Sequence, residues 1–132
     1  MAYTITGIFI LLHGLVHLWY FTLSRGLVEF KPDMGWTGKS WLLTPMLGDE
    51  TTRTLAGIFY VLATFLFVIS SIGIFSRGAW NTQALWIASI FSSAVILICW
   101  DGHTQMAVQK GVVGLAINMA IIITLSLQSS PH

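Results

Sequence analysis

Two histidines, His13 and His17, stand in an otherwise apolar run. Their i, i+4 spacing puts both imidazoles on one face of a helix. Three kinds of chemistry suit such a pair. Two imidazoles at this spacing can chelate one metal ion. One of them could be an axial haem ligand, with the second ligand drawn from another copy, because two rings on one helix face cannot oppose each other across one macrocycle. Each could instead hydrogen-bond a Ser, Thr, Asn or carbonyl on a neighbouring helix, and a proton or small-molecule site is a fourth use. A metal would need a third ligand at the same depth. Asp101 and His103 are the nearest by chain order, and helix rise puts them about 10 Å from the His17 level.

Other residues carry weaker chemical signals. Gly38-Lys39-Ser40 has the ending of a phosphate-binding P-loop. The glycine that the motif needs five residues earlier is Asp33 here, and no strand precedes it, so nucleotide binding is not expected. Cys99 is the single cysteine and sits in an apolar run, which excludes a disulfide within the chain and reads as a small buried hydrophobe. Asn118 lies inside another apolar run, where its amide needs several partners.

The elements that must position these residues follow from composition. The chain has 132 residues, 55% hydrophobic and 8% charged, with a mean hydropathy of +0.80. Soluble domains carry about 25% charge. So little polar surface excludes a soluble enzyme, a disordered tail and a nucleic-acid binder. Four stretches without Asp, Glu, Lys or Arg run over 5–23, 54–75, 80–100 and 111–127. About 20 helical residues cross a hydrocarbon core of about 30 Å, and backbone in lipid must bond to itself. The expected fold is therefore an all-α, four-helix transmembrane bundle forming a single domain over 1–132. The first stretch lacks a basic flank and a small-residue cleavage site, so it is expected to be retained.

The midpoints of these spans fall beside His13, Thr64, Ser89 with Ser92 and Ser93, and Asn118. A polar layer of His13, Thr64, Ser92 or Ser93, and Asn118 is expected near one depth, either as glue between helices or as the floor of a ligand pocket. Small residues mark the expected contact faces: Gly7 and Gly14 are seven apart, as are Gly57, Thr64 and Ser71. The 30 residues of loop 24–53 are too many for a plain connector. Its middle, Trp36 to Leu47, mixes aromatics and leucines and is expected to lie in the membrane interface. Five of the six Lys/Arg fall in loops 24–53 and 101–110 and one, Arg77, on the other side. That asymmetry predicts cytoplasmic loops and outside termini.

Three segments together carry a resemblance: His13-Gly-Leu-Val-His17-Leu, Gly38-Lys-Ser-Trp-Leu-Leu43, and Cys99-Trp-Asp-Gly102 ahead of Gly114-Leu-Ala-Ile-Asn118. The set resembles small uncharacterised bacterial four-helix integral membrane proteins, and the layout is loosely similar to DoxX-like proteins. The resemblance implies a bacterial inner-membrane location and a four-helix fold, and it implies no catalytic residues. With no acid/base pair inside the spans, the expected function is that of a non-enzymatic accessory or interaction subunit, as a homo-oligomer or in a larger membrane complex. The alternatives are a haem- or metal-binding redox membrane protein using His13 and His17, and a lipid or quinone pocket between the helices.

Overall fold

A computed structural model describes residues 1–29 and 31–129. The described residues contain no strand. Four helices among them are long and apolar enough to cross a membrane, so the chain is a multi-pass membrane protein. Helix α1 is Ala2–Ser24. The first loop holds a single 3-10 turn, Pro32–Met34, and a short helix α2, Leu43–Leu47. Helix α3 is Asp49–Phe75, α4 is Asn81–Cys99, and α5 is Val113–Ser129, entered through a wide π-type turn at Val108–Val112. The membrane-length helices sit where the apolar stretches predict them. The largest difference is at α3, which begins at Asp49 instead of Thr54. Asp49 and Glu50 fill its first turn, where acidic side chains meet the positive end of the helix dipole.

The packing order is α1 on α3, α3 on α4, and α4 on α5. Close approach of α1 and α3 follows the seven-residue spacing of small residues. Ser71 Oγ donates to Gly7 O at 2.8 Å, and Thr64 Oγ1 donates to Gly14 O at 3.1 Å. Gly57 faces Ser24 Oγ in the same register. A methyl group at Gly14 would stand 2.5 Å from Phe67 Cβ, so a glycine is required there. Tyr60 and Phe67, one heptad apart on α3, are buried in this seam, while Phe65 faces outward. Helix α5 is the peripheral member: 17% of its apolar window is buried, against 44% for α3 and for α4.

Part of the first loop packs into the bundle. Trp41 and Met46 are exposed, whereas Trp36 is 1% exposed and Ser40 is buried. Both cap the end of α4. The last carbonyls of a helix have no partner within it. Here Trp41 Nε1 donates to Leu97 O, Ser40 Oγ to Ile98 O, Trp36 Nε1 to Cys99 O, and Trp41 N to Trp100 O. Ser40 Oγ also accepts the Leu42 and Leu43 amides at the start of α2. The Gly38-Lys39-Ser40-Trp41 segment is therefore a helix cap assembled from a distant loop. Such a plug gives partners to four carbonyls at the helix end, of which that of Cys99 is buried.

At the opposite end, α3 and α4 are joined through a tight turn. Gly78 N donates to Gly73 O and Arg77 N to Ile74 O, the paired bonds of a Schellman cap. Arg77 occupies its left-handed position with φ 52°. Glycine usually takes that place, and a side chain there costs about 1–2 kcal/mol.

Candidate functional site

The histidine pair sits at the middle of α1, facing α4 and α5. His13 is 6% exposed and His17 3%. His13 Nε2 lies 2.8 Å from Asn118 Oδ1 on α5. Asn118 Nδ2 donates to Ser92 Oγ on α4 at 2.9 Å. Ser92 Oγ lies 2.7 Å from His17 Nε2. His17 Nδ1 lies 3.2 Å from the carbonyls of both His13 and Gly14.

Donor counting assigns the protons. A carbonyl accepts only, so His17 carries its hydrogen on Nδ1, and its Nε2 is an acceptor. Ser92 must then donate to His17 Nε2 while accepting from Asn118. Asn118 Oδ1 accepts, so His13 carries its hydrogen on Nε2. The result is a directional circuit: His13 to Asn118, Asn118 to Ser92, Ser92 to His17, and His17 back to the carbonyl of His13. Every step pairs a donor with an acceptor while both imidazoles stay neutral. It joins α1, α4 and α5 across a region where an unpaired polar group is costly.

The surroundings are aromatic. The ring of Phe67 meets that of His13 edge-on, with centroids 4.8 Å apart, and lies 5.6 Å from His17. Tyr60 lies beside His17, stacks on Tyr20 at 4.9 Å, and meets Trp36 edge-on at 5.8 Å. Tyr20 hydroxyl donates to Gln109 O, which ties the end of α1 to the π-type turn before α5.

The structure gathers the expected polar layer in part. His13, Ser92 and Asn118 meet. Thr64 lies beside them and bonds the carbonyls of Gly14 and Tyr60 without touching an imidazole. Ser93 does not join, because its hydroxyl turns back to Ser89 O on its own helix. Of two adjacent serines only one can face the bundle axis, and helix phase selects Ser92. His17 belongs to the layer, which midpoint arithmetic alone did not include. Ser89 is completely buried, and its Oγ is the one buried side-chain oxygen or nitrogen without a partner among the described residues.

Asp101 and His103 form a different site at the loop end. Asp101 Oδ2 pairs with Lys110 Nζ at 2.8 Å, with side chains 2% and 5% exposed respectively. Asp101 Oδ1 accepts the His103 amide, and His103 O accepts from Lys110 Nζ. Burial alone would raise the Asp101 carboxyl. Hydrogen bonds from Lys110 and the His103 amide, with the nearby positive charge, outweigh that and hold it below the usual carboxylate range. From the sequence, Lys110 counts only as one of the cations that set topology. Its place before an apolar run and nine residues after Asp101 is the signal that could have suggested a pair. Among the described residues no three His, Cys, Asp or Glu gather in a metal-ligating group.

A cleft of about 480 Å³ opens between α1 and α5 on the termini side. On α1 it ends one helical turn short of His13, and on α5 it reaches Ile117, beside Asn118; its walls include neither His13 nor Asn118.

Comparison with known proteins adds one weak likeness. The chain is 31% identical over 99 residues to an uncharacterised protein of Mycoplasma pneumoniae, covering 66% of this chain and 44% of that protein. The chain thus spans less than half the length of that relative, whose name assigns it no activity. No family model matches the chain, and no solved structure matches it.

Proposed function

We propose that this protein is a non-enzymatic accessory or interaction subunit of a bacterial plasma-membrane complex, formed with copies of itself or with another membrane protein. The closed His13–Asn118–Ser92–His17 circuit carries this reading. The side chains best suited to chemistry are each other's partners, and together they lock three helices. A metal or haem bound through both Nε2 atoms would have to displace Asn118 from His13 and Ser92 from His17. That would leave a buried amide and hydroxyl unsatisfied, at about 1–3 kcal/mol each. The resemblance of its short motifs to those of small bacterial four-helix membrane proteins supports the inner membrane. The excess of Lys and Arg supports cytoplasmic loops at 24–53 and 101–110, with the termini outside.

Extraction of the full chain from native membranes into polymer-bounded lipid discs, followed by mass measurement and elemental and optical analysis, tests this. The expected particle holds more than one polypeptide and is colourless. A single chain with stoichiometric metal or haem overturns the proposal.

A further inference from the structure

We propose that the cleft between α1 and α5 is a binding site for an anionic phospholipid, with one acyl chain in the cleft and the headgroup phosphate on Arg77. Four observations converge on this ligand.

The first is depth. The α1 wall runs from Ala2 to Ile10, about 12 Å by helix rise. One leaflet contributes about 15 Å of hydrocarbon. The cleft therefore reaches from the membrane surface to the depth of Asn118, whose neighbour Ile117 lines it, and its volume of about 480 Å³ is that of a small-molecule site. The second is polarity. Its deep wall includes Ile10, Leu85 and Ile121, whereas Asn81, Thr82 and Gln128 line the end near the surface. Apolar below and polar above is the profile of an amphiphile.

The third is charge. All five acidic residues, Glu29, Asp33, Asp49, Glu50 and Asp101, belong to the loop end of the bundle. Arg77 is the one Lys or Arg at the cleft end. Its guanidinium lies 5.1 Å above the ring of Tyr3, which itself lines the cleft. A cation at the rim, with no acidic side chain at that end among the described residues, favours an anionic headgroup over a zwitterionic one. The fourth is backbone strain. Arg77 holds a left-handed conformation that glycine would adopt freely. A side chain kept at a strained position points to a use for that side chain.

The test loads the purified full chain with phosphatidylglycerol or phosphatidylcholine of identical acyl chains and counts retained lipids by native mass spectrometry. Wild type should retain phosphatidylglycerol about fivefold better, the effect of one basic group at a membrane surface. Arg77→Gly should abolish that preference while its thermal unfolding midpoint stays equal or rises, because glycine suits the turn. Arg77→Lys should keep the preference. Ala120→Trp, which fills the cleft from an exposed position on α5, should lower retention of both lipids. Arg25→Gln, at the other end, should change nothing. Equal retention of the two lipids by wild type overturns the proposal, as does a preference that survives Arg77→Gly. So does an Ala120→Trp chain that keeps its lipid and instead changes oligomeric state, since the cleft would then be covered by a second copy. Subunit composition is measured separately, so failure here leaves the accessory-subunit reading standing.

Discussion

Two serines one turn apart on α4 illustrate how little residue type alone decides. Ser92 gives a hydrogen bond to His17 and takes one from Asn118. Ser89 is equally buried and has no partner for its hydroxyl among the described residues. Ser92→Ala should therefore destabilise the bundle by about 1–3 kcal/mol, since it breaks two interhelical bonds and strands their partners. Ser89→Ala should be neutral or stabilising by up to about 1 kcal/mol, because it removes a desolvated hydroxyl. Detergent-titration unfolding of the two variants beside wild type checks this, and equal losses would refute the circuit. Both serines were visible as midspan polar residues. Their opposite roles depend on which way α4 is rotated against α5.

At the scale of elements, small residues and caps set how the helices meet. Gly14→Ala would place a methyl group against Phe67 Cβ, which is rooted in the α3 backbone and cannot swing away. The helices must part, at a cost of about 1–3 kcal/mol. Gly114→Ala meets Ile96 Cδ1 at 3.4 Å and His13 Cε1 at 3.9 Å, ordinary contacts, so it should be tolerated. Unfolding midpoints of the two glycine variants should separate accordingly. The cap on α4 makes a further prediction. Trp36→Phe keeps a ring in the core but removes the donor to Cys99 O and Lys39 O. Loss of that donor should cost about 1–2 kcal/mol. Faster hydrogen exchange at the Trp41 amide, which donates to Trp100 O, would report the loosened plug, and an unchanged rate would show that Trp36 is not needed to hold it.

Across the whole molecule, the two ends differ in charge and in their polar contacts. The loop end carries the Trp36–Trp41 plug and the Asp101–Lys110 pair. The termini end is open between α1 and α5, with Arg77 at its rim. The pair gives a pH dependence with a defined sign. Asp101 is held below the ordinary carboxylate value of about 4, so its contribution is complete above that pH. It is lost as pH falls through the lower value of the folded state. Asp101→Asn should flatten this acid limb and lower stability at pH 7 by about 3 kcal/mol, because Lys110 is left buried without its counter-charge. Unfolding midpoints of wild type and variant between neutral and acidic pH would test both parts.

The sequence by itself determined the architecture: four long runs without charge call for helices in lipid, and each run falls on one of the four long helices of the structure. It also held the heptad spacing of small residues that the α1–α3 seam uses, and it singled out His13, His17 and Asn118. Hydrophobic periodicity and helix rise are local, and local rules suffice for those inferences. What it could not supply is helix rotation and partner choice. These selected Ser92 over Ser93, joined His17 to the polar layer, paired Asp101 with Lys110, and turned a P-loop-like tetrapeptide into a cap for α4. Each of these depends on contacts between segments far apart in the chain. Their geometry is set when several packed helices satisfy one another's buried polar groups at once.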